Sequence, residues 1–203
     1  MILFFLLSFA EFNPNLVMEN RKEQFLDAVH DLIWVATSDS FTISYFWKNE
    51  LDKYRINVKK KNGAHYSLIY DSENLWKIYK RKKKLTSFYI LYNLMAYDWL
   101  YNLPDDFSHK WWKGGLALLE WKKGDANVHL WVDKEGVIRK VKVDSRFWEV
   151  EIQYKEWMEI KGFPYYPKKW CVKSEAGVQE FEINRIYVNK GFCSPCTFNI
   201  SNY

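Results

Sequence analysis

The chain has 203 residues, enough for one domain with a full hydrophobic core. Its 27% charged and 48% hydrophobic residues exclude a disordered protein, and its 19% aromatic content, with 11 Trp, is high. The net charge of +5 is concentrated in Lys59–Lys61 and Lys80–Lys84. We interpret these runs as a solvated rim, with attraction to anionic lipid headgroups or to nucleic acid as alternatives. The sequence has no RNP-like strand, zinc-finger or helix-turn-helix signature, so we expect no nucleic acid partner.

The first residues are typical of a secretory signal peptide, although a basic n-region is missing. Ile2–Phe9 is apolar throughout, and Ser8 and Ala10 supply small residues at positions −3 and −1 of a cut after Ala10. The segment is too short to span a bilayer. We therefore expect residues 1–10 to be a signal peptide and residues 11–203 to be a single exported, soluble domain.

The first predicted element of that domain is a helix over Asn13–Ser38. Apolar residues recur in it at spacings of three and four: Phe25, Val29, Leu32, Ile33 and Ala36. Such a stripe is typical of a helix that packs on a core with one side.

An antiparallel meander is predicted next, between Phe41 and Tyr79. Apolar and polar residues alternate in its runs, which predicts strands with one dry and one wet face. The four runs are Phe41–Lys48, Lys53–Lys60, His65–Asp71 and Leu75–Lys80. The dry face is rich in aromatic residues, so a helix, a partner sheet or an apolar ligand must cover it.

A second helix is predicted over Leu85–Leu103. Its apolar residues at helical spacing are Phe88, Leu91, Tyr92, Met95 and Trp99. The other sides are also largely apolar, which predicts a buried helix. Asn93 and Asp98 make it too polar for a membrane span, and we expect it to lie on the hollow side of the sheet.

Six further strands are predicted in the rest of the chain. They are Leu116–Lys122, Asn127–Asp133, Val137–Asp144, Phe147–Trp157, Lys168–Ser174 and Gln179–Asn189. Short connections require neighbouring strands to be antiparallel. A sheet this long tends to curl, and the hollow side of a curled sheet commonly holds one apolar ligand.

The three cysteines are Cys171, Cys193 and Cys196. A redox site of the thioredoxin type needs the close pair to open a helix, whereas residues 197–200 are predicted to be a strand. A zinc site needs four ligands, and the His residues lack paired metal spacing, so we expect no metal and no cofactor. A local disulfide between Cys193 and Cys196, or two free thiols, is the preferred interpretation; an oxidising periplasm favours the disulfide.

Several motifs resemble the LolA/LolB-like superfamily of periplasmic lipoprotein carriers. The first strand of the meander carries Tyr45-Phe46-Trp47-Lys48, and the second carries Tyr54-Arg55-Ile56. A turn then leads into Leu75-Trp76-Lys77-Ile78-Tyr79, which resembles the family's Leu-Trp-x-Tyr strand. The segment 129–138 resembles its strand-turn-strand with an Asp and a Gly at the turn. The segment 162–169 resembles its Gly-x-Pro-x-x-Pro entry to a strand.

This resemblance covers nearly the whole mature chain and implies a fold and a function. The fold would be α+β, mainly antiparallel: an unclosed half-barrel of about ten strands with helices covering its concave face. The function would be that of a monomeric periplasmic carrier, not an enzyme, which shields acyl chains of lipoproteins or another lipid in transit to the outer membrane. An inner-membrane release complex and an outer-membrane acceptor would be its partners.

Two positions depart from the family. Lys48 and Asn49 lie where LolA-type carriers have an Arg that helps hold the lid closed. LolB-type receptors are anchored through an N-terminal Cys that is missing here. The chain could therefore be a soluble carrier or a divergent relative with another apolar ligand.

The predicted lining of the hydrophobic cavity comes from the strands. It comprises Tyr45, Trp47, Leu68, Tyr70, Trp76, Ile78, Trp121, Trp131 and Trp148. The predicted lid residues are Leu91, Met95 and Trp99. Lys48 is a candidate contact to a polar headgroup. An ordinary place in the core is the alternative for each apolar residue, and a solvated surface is the alternative for Lys48.

Two other function classes stay open. Glu149 and Glu151 share one strand face, so paired carboxylates could act as acid and base in a hydrolase, but they also fit the wet side of an amphipathic strand. No Gly-rich phosphate loop, nucleophile elbow or metal-spaced His pair supports an enzyme. An envelope sensor could also use this fold without transport.

Overall fold

The computed structural model describes residues 13–51, 53–70, 74–79, 81–85, 107–111, 114–123, 125–146, 148–192 and 197–198. These residues form one helix, α1 (Pro14–Ala28), a 3-10 turn (Asn49–Leu51) and thirteen strands. The strands are β1 (Asp31–Thr37), β2 (Phe41–Lys48), β3 (Lys53–Lys60), β4 (His65–Tyr70), β5 (Leu75–Tyr79), β6 (Arg81–Leu85), β7 (Ser108–Trp111), β8 (Ala117–Lys123), β9 (Ala126–Val132), β10 (Ile138–Asp144), β11 (Glu149–Ile160), β12 (Phe163–Ser174) and β13 (Gly177–Val188).

All thirteen strands belong to one antiparallel sheet. Their order is β6-β5-β4-β3-β2-β1-β13-β12-β11-β10-β9-β8-β7. Within the described part of the chain the edge strands β6 and β7 do not pair with each other, so the sheet is unclosed. The ten predicted strands are all present, and β1, β6 and β7 are additional. The basic run after Tyr79 lies mostly in β6 and thus forms an edge strand.

The predicted helix over Asn13–Ser38 is wrong in its second half. α1 ends at Ala28, and Val29 is already extended while its N–H donates to the Phe25 carbonyl. Residues 31–37 form β1 instead, with Leu32, Trp34 and Ala36 buried. The apolar residues here fit both periods, and the β-branched and aromatic residues at 33–37 favour a strand. β1 pairs with β2 on one side and β13 on the other, so it joins the two halves of the sheet.

The sheet curls around one of its faces. We call the face that carries Trp34, Tyr45 and Trp170 the inner face, and the opposite face the outer face. Val58 of β3 and Val150 of β11 line the same cavity, although four strands separate β3 from β11 in the sheet. The unclosed half-barrel is therefore confirmed. Cover by several helices is not, because α1 is the one helix that the described residues contain.

α1 packs on the inner face at one end of the strands, which we call the helix end. The ring centroid of Phe25 lies 5.6 Å from that of Trp47, 5.3 Å from that of Phe163 and 6.2 Å from that of Tyr166. Met18 of the helix is also fully buried. The helix thus fills this end of the half-barrel with side chains.

The turn between β9 and β10 packs against α1. Gly136 has a φ of +76°, and a Cβ added there would lie 2.6 Å from Val17 of the helix. The Arg21 guanidinium donates to the Glu135 carbonyl at 2.8 Å. The turn itself is closed by Asp133, whose carboxylate accepts the Val137 N–H at 3.0 Å. The Asp and Gly of this turn therefore fix the position of the helix.

Described residues after β13 lie against the outer face of β2 and β3. The Phe192 ring contacts Phe46 (6.3 Å) and Phe198 (5.8 Å), and Phe198 is buried. Arg55 Nη1 donates to the Thr197 carbonyl at 3.0 Å. Thr197 and Phe198 are helical, so the strand predicted over 197–200 is wrong at these two residues, which face the outer sheet instead of extending it. Part of the outer face of β2 and β3 is consequently covered.

Candidate functional site

An apolar cavity of about 370 Å³ lies at the opposite end of the strands, which we call the cavity end. One side is formed by Phe41, Val58 and Tyr66 of β2, β3 and β4. The other side includes Trp148, Val150, Val172 and Phe181. The cavity is partly open to solvent. Its volume lies within the range of about 300–1,000 Å³ that is usual for ligand pockets.

The two sides of the cavity differ in charge, with lysines on one side and an ion pair on the other. Lys60 Nζ lies 5.8 Å from the centre of the Phe41 ring, and Lys77 Nζ lies 4.6 Å from the centre of the Tyr66 ring. Glu149 is on the other side, where Lys142 Nζ pairs with it at 2.8 Å. That hydrogen bond raises the pKa of Lys142. The β2–β5 side is therefore the positive one.

A row of aromatic rings links the cavity wall to the rest of the inner face. Phe181 stacks on Trp170 at 5.7 Å, Trp170 meets Trp34 at 5.7 Å, and Trp34 meets Tyr45 at 5.1 Å between centroids. Such ring pairs contribute about 0.5–1.5 kcal/mol each beyond their buried area. Phe181 is thus a fixed wall of the cavity, backed by a packed core.

The predicted lining residues divide between the two faces. Those on the inner face are Tyr45, Trp47, Leu68, Tyr70, Trp121 and Trp148. Of these, Trp148 lines the cavity. Tyr45 is 1% exposed, Trp47 3% and Leu68 0%, so these three are core residues in this structure.

Trp76, Ile78 and Trp131 lie on the outer face. Trp76 is directly opposite Ile69, and Ile78 is opposite Ser67, on the side away from Leu68. Trp131 is opposite Lys140, whose Nζ lies 4.9 Å from the ring centre. The register therefore places these three residues away from the cavity.

Lys48 lies at the helix end and not beside the cavity. Its Nζ is 3.8 Å from a carboxylate oxygen of Glu50. The predicted lid residues Leu91, Met95 and Trp99, and the pair Cys193 and Cys196, are outside the described residues. Cys171 has no disulfide partner in the described part of the chain.

Sequence reasoning missed most of the cavity wall, namely Phe41, Val58, Val172 and Phe181. Each is the last apolar residue of an alternating run toward the cavity end of its strand, so the period of two contains the signal. The period carries no information on the curl of the sheet, and it is this curl that brings strand ends from the two halves together.

The paired carboxylates proposed for a hydrolase are held in ion pairs. Glu151 contacts Lys140 Nζ at 2.6 Å, as Glu149 contacts Lys142. Glu180 on the outer face accepts from both Lys155 and Lys169, which lowers its pKa to about 2. These pairs fit the wet side of amphipathic strands. Among the described residues no group of three or more His, Cys, Asp or Glu could hold a metal ion.

Comparison with solved structures identifies the class of fold. No family model matches the sequence, and no curated protein matches it. The unclosed half-barrel is shared with a domain from Vibrio parahaemolyticus that carries a provisional assignment as an outer membrane lipoprotein-sorting protein. That match has a TM-score of 0.63 and 13% identity, and covers 90% of this chain and 96% of the other. The match shows that the two chains share this fold, and it is the fold that the resemblance noted in the sequence implies.

Two further structures are similar over much of the chain but at low TM-scores. They are lipoprotein LppX from Mycobacterium tuberculosis (TM-score 0.38, 6% identity, 89% and 98% of the two chains) and hypothetical protein CT021 from Chlamydia trachomatis (0.34, 8%, 85% and 94%). Within the described ranges, no helix combines the length and the apolar character that crossing a bilayer requires.

Proposed function

We propose that this protein, exported by a signal peptide at residues 1–10, binds the acyl chains of lipoproteins, or of another lipid, and carries them through the periplasm to the outer membrane. The observation that carries the proposal is the apolar cavity of about 370 Å³ at the cavity end of the inner face. The fold shared with a lipoprotein-sorting domain from Vibrio supports it. The Vibrio domain is described by lipoprotein sorting and not by a reaction, which fits a carrier better than an enzyme.

The walls of the cavity suit an acyl chain. Each CH₂ group costs about 0.8 kcal/mol when it is exposed to water, so even a short buried stretch stabilises a complex. Val58, Val150 and Val172 offer aliphatic contacts, and the rings of Trp148 and Phe181 offer broad surfaces whose faces require no hydrogen bond. Because the cavity is partly open, an acyl chain can enter it while the sheet stays folded. The predicted lid over 85–103 would cover the part of the chain that stays outside.

Filling the cavity tests the proposal directly. Val172→Trp places a large side chain on the cavity wall, and Val178→Trp makes the same change on the outer face, where Val178 is 60% exposed. We expect the first variant to weaken binding of a fluorescent fatty-acyl probe by at least about tenfold, since about 1.4 kcal/mol of lost contact suffices. The second variant should bind as the wild type does.

The binding assay is combined with an analysis of the lipid that copurifies with the protein. Protein purified from its periplasm should release lipid or acylated peptide into an organic extract, as measured by mass spectrometry. A wild-type protein that neither carries lipid nor binds the probe would contradict the proposal. Equal binding by the two Trp variants would place the site elsewhere.

A further inference from the structure

The basic residues of this chain are concentrated in one stretch of the sheet. Residues 53–85 contain eleven Lys and Arg against two Asp and Glu, a net charge of +9. The whole chain carries +5, so the other residues sum to −4. This stretch forms β3, β4, β5 and β6, which is the half of the sheet on the positive side of the cavity.

Three lysines of this stretch stand on the inner face beside the cavity. Lys60 is opposite Phe41, a cavity residue. Lys77 is opposite the core residue Leu68, and Lys83 is in turn opposite Lys77. None of the three has a carboxylate within ion-pair distance among the described residues. In the other half of the sheet, five lysines of β10, β11 and β12 each contact a Glu, namely Lys140, Lys142, Lys155, Lys168 and Lys169. Lys122 and Lys173 of that half have no ion pair among the described residues.

Protection of the sheet edge does not account for this arrangement. Lysine on an edge strand such as β6 hinders pairing with other chains. Lys60 and Lys77, however, lie on β3 and β5, which have strand neighbours on both sides. Both ammonium groups lie over aromatic rings of the cavity wall. Tyr79 follows on the same face as Lys77 and is 47% exposed.

We propose that this surface docks on an anionic lipid bilayer. We call it the basic lip: Lys60, Lys77 and Lys83, with Phe41, Tyr66 and Tyr79. Lysine interleaved with half-buried and exposed aromatic rings suits the headgroup region, where cations meet phosphates and rings sit at the boundary with the acyl chains. Docking through the basic lip brings the cavity wall formed by Phe41 and Tyr66 to the leaflet. The inference stands on charge and register, and it does not depend on the cavity holding cargo.

Vesicle sedimentation tests the docking with the full chain. The vesicles are phosphatidylcholine alone or phosphatidylcholine with about 30% phosphatidylglycerol, at about 50 mM and about 300 mM salt. We expect binding to the anionic vesicles, little binding to the neutral ones, and a clear loss at the higher salt. No binding to anionic vesicles at the lower salt would overturn the proposal.

Matched variants locate the surface. Lys60→Gln, Lys77→Gln and Lys83→Gln together should weaken vesicle binding about 100-fold, at roughly fivefold for each lysine near the membrane. The control is Lys155→Gln, Lys168→Gln and Lys169→Gln, which removes the same charge from the other half and should change binding less than about fivefold. Equal losses in the two triple variants would show a net-charge effect and contradict the basic lip. If the first triple variant fails to fold by circular dichroism, the exposed pair Lys60→Gln and Lys83→Gln replaces it, with an expected loss of about 25-fold.

Two more measurements separate membrane docking from nucleic acid binding and from the proposed carrier function. A single-stranded oligonucleotide that binds as tightly as the vesicles, and is lost in the same variant, would assign the lip to nucleic acid instead. Val172→Trp should keep its vesicle binding while losing the acyl probe. Failure of the docking and failure of the proposed carrier function are therefore distinguishable.

Discussion

The two ends of the inner face are built from the same alternating strands, yet one is filled and the other is hollow. At the helix end, Phe25 of α1 packs among Trp47, Phe163 and Tyr166. At the cavity end, Phe41 and Val172 face a space of about 370 Å³. Among the described residues, the difference arises because α1 packs at the helix end and does not reach the cavity end. Apolar surface beyond what this helix covers is therefore where a ligand is to be sought.

The largest expected effect is at the filled end. Phe25→Ala should cost about 3–5 kcal/mol in the free energy of unfolding, because it removes a buried ring that touches three others. Urea denaturation measures this cost. The comparison of the two ends breaks if the cost is below about 1 kcal/mol, since α1 would then not fill the helix end.

The next largest effect on stability is expected where α1 packs against the turn between β9 and β10. Gly136→Ala and Gly63→Ala both place a side chain at a positive φ, +76° and +86°, so both carry the backbone cost of about 1–2 kcal/mol. At Gly63 the new Cβ meets nothing within 4 Å, whereas at Gly136 it meets Val17 at 2.6 Å. We expect Gly136→Ala to be less stable than Gly63→Ala by about 1–3 kcal/mol in the same urea measurement. Equal stabilities would mean that α1 is not pressed against this turn.

At the hollow end, binding should respond more than stability. Phe41→Ala removes a partly buried ring from the cavity wall and should cost only about 1 kcal/mol of stability. The Kd for the acyl probe should rise several-fold, because the ring is part of the proposed contact surface of the probe. Fluorescence titration checks this, with Phe25→Ala measured at a temperature where it is folded. The comparison is contradicted if Phe41→Ala binds normally and Phe25→Ala does not.

The smallest effect concerns the outer face. The pKa of Glu180 is lowered to about 2 by hydrogen bonds from Lys155 and Lys169. A carboxylate with a depressed pKa in the folded state stabilises the protein above its usual pKa and loses that contribution as the pH falls toward 2. Glu180 is exposed, so the effect is small. The stability difference between the wild type and Glu180→Gln should shrink between about pH 5 and pH 2.

The control for that prediction is Glu175→Gln. Glu175 is also exposed and has no ion pair in the described part of the chain. Thermal unfolding over the same pH range should show no comparable difference for it. A difference for Glu180→Gln that stays constant down to pH 2 would contradict the assigned cause.

Alternation in the sequence located most strands, but it did not predict all of the pairing between them. Alternation predicted ten strands correctly, because a period of two is a local property. Residues 31–37 were misassigned because Leu32 and Ala36 fit a helical stripe as well as a strand face, and pairing with β2 and β13 decides between the two. Tertiary pairing of this kind leaves little trace in a short segment.

The candidate site was less predictable than the fold. Trp76, Ile78 and Trp131 belong to strands with apolar residues on both faces, so alternation alone cannot tell which face is inner. β4 shows why: Ile69 on its outer face is buried as fully as Leu68 on its inner face. Trp148 alone among the predicted lining residues reached the cavity. The rest of the wall depends on the curl of the whole sheet, which is not a local property.

Photo-crosslinking with an acyl chain that carries a diazirine tests the central claim most directly, because it records where the chain lies. After irradiation and digestion, mass spectrometry should find the adducts among the described residues at the cavity end, on Phe41, Val58, Val172 or their neighbours, and Val172→Trp should abolish them. Adducts at the helix end, on Trp47 or Phe163, or adducts that persist unchanged in Val172→Trp, would contradict the account.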